Sequence, residues 1–170
     1  GLGMIALQHP DLAAEQVTGA VRDLGLRRAM ISTNIEGTDL SDERFTPVWA
    51  AAEELGAVLF LHPWGCTLGE RLDRSYLFNV VGNPTETTVA LSHLIFGGVL
   101  DRHPGLRICA AHGGGYLPHY AGRADHAHRV RPDSRTCARP PSSYLRDLWF
   151  DSLVHDPATL GHLIDRVGAG

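Results

Sequence analysis

Apolar positions along the chain alternate between short continuous runs and longer stretches at helical spacing. Residues 1–7 (GLGMIAL) form the first run and read as a strand. His9-Pro10-Asp11 opens a helix in which Ala13, Val17, Ala20, Val21 and Leu24 share a face, and Gly25 ends it. Residues 28–32 (RAMIS) are the second run. Ser41 is the predicted cap of the next helix, with Asp42 and Glu43 in its first turn, where the helix dipole favours them. Phe45, Val48, Trp49, Ala52 and Leu55 form its buried stripe, and Gly56 stops it.

Residues 57–61 (AVLFL) are continuously apolar, the pattern of a strand covered on both faces. Asn83-Pro84-Thr85-Glu86 reads as a helix start, with Asn as cap, Pro at the first position and Glu86 closing a capping box. This helix is predicted to run to about Arg102, before Pro104. Residues 106–111 (LRICAA) are another strand, and the glycines at 113–115 turn into a helix over 116–129. The Pro-rich stretch 131–143 reads as a loop. Residues 148–153 (LWFDSL) are the fifth strand. Asp156-Pro157 caps a last helix carrying Leu160, Leu163, Ile164 and Val167, and Gly168 stops it.

Strands alternating with helices imply βα units, a parallel sheet and right-handed crossovers. The 170 residues suit one domain over 1–170. A closed (β/α)8 barrel needs eight units and typically about 250 residues. Five units therefore give either an open α/β sheet or an incomplete barrel.

Composition narrows the function. Hydrophobic residues are 44% and charged residues 20%, so wholesale disorder is excluded. No apolar run reaches the length of a transmembrane helix, so no membrane partner is expected. The net charge of -4 carries no basic cluster for nucleic acid. All 15 basic residues are Arg, which removes Lys-based catalysis and Schiff-base cofactors. The 3 cysteines (Cys66, Cys109 and Cys137) lie far apart, form no CxxC, and point to a reducing, cytoplasmic setting. Cys109 reads as a small core residue.

Histidine, at 10 residues, is the informative excess. His62 and His112 each follow a predicted strand, at the carboxyl ends where barrels and open sheets carry their chemistry. Two imidazoles there can bind a metal or move protons. Either alone reads as a hydrogen-bonded structural histidine; the equivalent placement of both favours function. The glycines at 113–115 allow close backbone approach to a ligand or make a plain turn. GxGxxG spacing and a Walker lysine are both missing. The Asp151 carboxylate can hydrogen-bond a ligand residue and orient it, with a structural carboxylate as the alternative. His155 reads as an N-terminal helix histidine, Arg123 as an exposed helix arginine, and His126 and His128 as surface residues.

LFLHPWG (59–65), GNPTETTVALSHLIFGGVLDRHPGLRICAAHGGGYLP (82–118), GRADH (122–126) and FDSLVHDP (150–157) together resemble the amidohydrolase superfamily. More narrowly, they are similar to its aminocarboxymuconate-semialdehyde decarboxylase group. The resemblance implies a metal-dependent-hydrolase-type (β/α)8 TIM barrel, with the five strands here as the third to seventh. The segment then reads as an internal piece of that barrel. The resemblance also implies one divalent metal, usually Zn2+. His62 matches the fifth-strand metal ligand, and His112 the sixth-strand acid/base. Arg123 matches an arginine that crosses a homodimer interface to grip a substrate carboxylate, and Trp64 falls in the substrate-binding segment. The group's His-x-His pair and final aspartate have no counterpart in the 170 residues. The implied reaction is non-oxidative decarboxylation of 2-amino-3-carboxymuconate 6-semialdehyde, or of a related unsaturated or aromatic acid, through a zinc-bound hydroxide. A metal-dependent hydrolase and an inactive binding module are the alternatives.

Overall fold

The computed structural model describes residues 1–169. Its elements, in chain order, are β1 (Gly3–Met4), α1 (Pro10–Arg22), β2 (Arg28–Ile31), β3 (Asn34–Ile35), β4 (Thr38–Asp39), α2 (Thr46–Glu54), β5 (Val58–Leu61), α3 (Asn83–Phe96), α4 (Val99–Arg102), β6 (Arg107–Ala110), α5 (Leu117–Val130), β7 (Trp149–Phe150) and α6 (Pro157–Val167). The main sheet has the order β1-β2-β5-β6-β7. Every pairing in it is parallel, with Ile31 opposite Leu61 and Leu61 opposite Ala110. Strands β3 and β4 form a separate antiparallel hairpin.

Each strand buries alternate residues. Ala29 and Ile31 of β2, Leu59 and Leu61 of β5, and Ile108 and Ala110 of β6 are buried. They share a core with Val17 of α1, Val48 and Trp49 of α2, and Leu91, Leu94 and Ile95 of α3. Side chains alternate across a sheet, so Arg28, Val58, Phe60, Arg107 and Cys109 face the other way. These line a hollow of about 740 Å³ that no helix among the described residues covers. Helices on one face only, over an all-parallel sheet, make an arc of a barrel and not a doubly wound sheet. Two expectations change accordingly. The strand at 57–61 is covered on one face among the described residues, and Cys109 is half-buried on the inner face and not a core residue.

Several boundaries also move. The strand expected over 1–7 pairs only at Gly3–Met4, and that expected over 148–153 only at Trp149–Phe150. Asp42, not Ser41, caps the entry to α2: its carboxylate accepts from the Arg44 N–H and starts a short 3-10 turn before the helix. The helix predicted to reach Arg102 breaks after Phe96, because Gly98 takes a left-handed φ of 67° that an α-helix cannot contain. The loop at 131–143 contains the 3-10 turn Pro132–Ser134 and enters another, Pro141–Arg146. His9 and Asp156 precede α1 and α6 as expected, and Asp156 accepts from the Thr159 N–H at 2.6 Å.

The largest difference lies at the start of α3. Asn83 is helical, preceded by a π-helical turn over Phe78–Gly82, so the capping box does not form. The Asn83 side-chain oxygen is buried without a partner. Glu86 turns away to other donors.

Candidate active site

His62 and His112 follow adjacent parallel strands, β5 and β6. The backbone fixes their level: the His62 N–H donates to Ile31 O at 3.0 Å, and the Ala111 N–H to Leu61 O at 3.0 Å. The two imidazole rings meet with centroids 5.2 Å apart, tilted by 53°. His62 also stacks on Phe60 at 6.2 Å. Sequence reasoning placed both histidines at strand ends, and the structure brings them together.

His112 sits at φ 58°, an unusual left-handed conformation for a residue with a side chain. The turn after it is held from two sides. Asp151 accepts from the Gly113 N–H at 2.8 Å and from the Leu153 N–H at 3.2 Å. Gly115 donates back to His112 O at 2.9 Å. Asp151 therefore supports the turn, with no hydrogen bond to either imidazole.

Thr87 Oγ1 lies 3.4 Å from His112 Nδ1 and donates its own proton to Asn83 O at 3.1 Å. If that proton stays donated to Asn83 O, the contact is made by Nδ1–H donating to the hydroxyl oxygen. Nε2 is then left as the unprotonated nitrogen. Burial pushes the His112 pKa down, and His62 and His155 push the same way, against the opposing carboxylate of Asp151. The imidazole is neutral, and hence a proton acceptor, at neutral pH.

His62 opens into a cleft of about 350 Å³ walled by β1, β2 and the β3–β4 hairpin. Leu7, Met30 and Ile35 give it apolar walls, and Trp64, 89% exposed, stands at its rim. An apolar cleft with a few polar groups is the usual form of a small-molecule site. Arg123 is exposed on α5 and does not line the cleft. His155 is exposed past β7. His126 meets Arg129 at 3.1 Å on the surface of α5. His128 is half-buried and reaches Cys137 O at 3.1 Å, so the surface reading holds for the first and not the second.

The residues that sequence reasoning missed lie on α3. Glu86 is 3% exposed and braces the segment after His62, while Thr87 contacts His112. The run of hydroxyls at Thr85, Thr87 and Thr88 beside a glutamate was the available signal. The capping-box reading absorbed it.

No helix among the described residues is long and apolar enough to cross a membrane. Nor do the described residues contain a cluster of three or more His, Cys, Asp or Glu able to hold a metal ion. A catalytic zinc centre takes three protein ligands, so the two imidazoles are an incomplete donor set.

The amidohydrolase family profile matches residues 1–170. The chain is 37% identical over 170 residues to a 2-amino-3-carboxymuconate-6-semialdehyde decarboxylase of Dictyostelium discoideum, covering 99% of this chain and 47% of that protein. The corresponding decarboxylase of Caenorhabditis elegans is 44% identical over 119 residues, covering 68% of this chain and 30% of that protein. Among solved structures, the manganese-bound 5-carboxyvanillate decarboxylase of Novosphingobium aromaticivorans matches with a TM-score of 0.91 at 25% identity, over 99% of this chain and 51% of that one. The chain thus spans about half the length, or less, of the relatives it matches. A profile match along the whole chain, a parallel sheet backed by helices on one face, and decarboxylases as sequence and structural relatives place this chain in the amidohydrolase family.

Proposed function

We propose that the chain carries the fifth- and sixth-strand histidines of a metal-dependent, non-oxidative decarboxylase. Its substrate would be 2-amino-3-carboxymuconate 6-semialdehyde or a related unsaturated or aromatic carboxylic acid. The observation that carries this reading is the meeting of His62 and His112 at the carboxyl ends of β5 and β6. The decarboxylases among its relatives supply the reaction class.

The chemistry needs a proton carrier. In decarboxylation the bond from carbon to the carboxylate breaks, its electron pair stays on the carbon, and a proton takes the vacated place. His112 is suited to that transfer: neutral at pH 7, it can take a proton from water at Nε2 and deliver that proton to the carbon as CO2 leaves. His62 presents its imidazole to the cleft. Zn2+ or Mn2+ would supply Lewis-acid polarisation. His62 would be one of its ligands, with His112 beside it as the proton carrier. Trp64 provides an aromatic wall for an unsaturated substrate. Arg123, free on the surface of α5, suits a carboxylate clamp reaching the site of a second copy in a homodimer.

The test is CO2 release from the semialdehyde and from hydroxybenzoic acids by the natural polypeptide with Zn2+ or Mn2+ added. Release that falls by about 10²–10⁴-fold in His112→Ala supports the proposal. Turnover of lactones or amides without CO2 overturns it in favour of a hydrolase, and no turnover of either overturns it in favour of a binding module.

A further inference from the structure

Glu86 is a buried carboxylate that accepts three hydrogen bonds from two separate segments, one behind the cleft residue Trp64 and one containing the cleft residue Asn34. On one side it accepts from the Thr67 N–H and from Thr67 Oγ1, each at 2.7 Å. Thr67 lies three residues past Trp64, in the segment that leaves β5 after His62. On the other side it accepts from Asn34 Nδ2 at 3.2 Å. Asn34 begins the β3–β4 hairpin, and Asn34, Ile35 and Glu36 line the same cleft as Trp64. Three donors on an acceptor-only group match a carboxylate. A buried charge with no other task is costly, whereas one joining two otherwise separate loops has a positional use.

We infer that Glu86 is a positioning residue that sets the separation of the two cleft walls, and with it which carboxylic acids the cleft admits. The specificity part rests on the reading of the cleft as the substrate site. Glu86 itself touches no reacting group. It acts through Thr67 on the Trp64 wall and through Asn34 on the hairpin wall. Its neighbour Thr87 reaches His112, so the same turn of α3 fixes the proton carrier and the mouth of the cleft.

The donor arrangement gives the inference a particular signature. Asn34 cannot turn its amide over freely, because its Oδ1 already accepts from the Gly37 N–H at 3.3 Å. In Glu86→Gln the introduced amide has one oxygen for two donors on Thr67, so its NH2 faces the NH2 of Asn34. The Trp64 wall stays tied while the hairpin is released. In Glu86→Ala both walls are released.

Hydrogen exchange of the chain, read by segment, tests this. Glu86→Ala should speed exchange about tenfold or more over 33–39 and over 63–68, and Glu86→Gln over 33–39 alone, with β5 and β6 unchanged in both. Equal acceleration across the sheet in Glu86→Gln would reduce Glu86 to a general stabilising role. Unchanged exchange in both segments would overturn the clamp. In polypeptide that releases CO2, Glu86→Gln should raise KM about tenfold and leave kcat within about threefold. Unchanged KM would overturn the specificity part. If the unmodified polypeptide releases no CO2, the decarboxylase reading fails, while the exchange pattern still decides the clamp.

Discussion

The carboxylate of Asp151 accepts the peptide N–H of Gly113 at 2.8 Å, one residue beyond His112. An acid on β7's exit thereby sets the conformation of a turn on β6's exit. A hydrogen bond to a charged group contributes about 1.5–3 kcal/mol. Asp151→Ala should therefore lower the unfolding free energy by about 2 kcal/mol. Asp151→Asn, which keeps an acceptor oxygen, should cost less. Urea titrations of the two variants check the order, and equal losses would contradict it.

Gly115 lies at φ 64° and ψ −127°, a conformation essentially closed to other residues. A Cβ there would collide with the carbonyl oxygen of Pro84 and lie 2.5 Å from Thr88 Oγ1. Gly115→Ala should cost about 3 kcal/mol or more, by backbone strain and by pushing α3 off the His112 turn. Thermal unfolding measures the loss. A midpoint within one degree or so of the unmodified chain would show that the two segments can part without penalty.

Tyr144 is fully buried and donates to Asp101 Oδ1 at 2.6 Å, while accepting from the Arg139 N–H at 3.1 Å. The Arg139 guanidinium lies over its ring at 4.1 Å. These contacts tie the Pro-rich crossover to α4. Tyr144→Phe keeps the ring and removes the hydroxyl, leaving Asp101 with the Ala138 N–H alone. Destabilisation of about 1.5–3 kcal/mol is expected in urea unfolding. Arg139→Ala, which loses an exposed contact, should fall below that.

His119 of α5 and His162 of α6 stack with centroids 4.6 Å apart and planes 14° from parallel. Partial desolvation lowers the His119 pKa from its ordinary value although the residue is exposed, and the nearby His162 and Arg166 add to the depression. The unfolded chain thus binds this proton more readily than the folded one. The stability is fully present above the ordinary histidine pKa of about 6.5 and is lost as pH falls through the lower folded value. The unfolding midpoint should accordingly drop between about pH 6.5 and 5. His162→Gln should flatten that slope, and an unchanged slope would place the titration elsewhere.

Much of this was legible in the sequence because it depends on local pattern. The apolar runs marked the five strands of the main sheet, and the strand-end positions of His62 and His112 followed from counting residues past each run. The capping box failed because it is a local rule overruled by distant partners: Glu86 turns to Asn34 and Thr67, neither of which neighbours it in sequence. The strand at 57–61 looked buried on both faces because Val58 and Phe60 are apolar. Apolarity alone cannot show that the inner face stays uncovered. The β3–β4 hairpin, which walls the cleft, is too short to leave a periodic signal.

The parallel order of the sheet also governs how the chain must fold. Strands β5 and β6 pair residue for residue across roughly fifty positions of intervening chain, so their contact forms only after a long loop has closed. Every pairing in the main sheet carries the same burden, because parallel neighbours cannot be joined by a tight turn. Folding should be slow relative to helical proteins of this size. Until β6 arrives, the far edge of β5 stays available to strands of other chains. Refolding yield should therefore fall as protein concentration rises, a kinetic vulnerability written into the topology before any side chain reaches its final place.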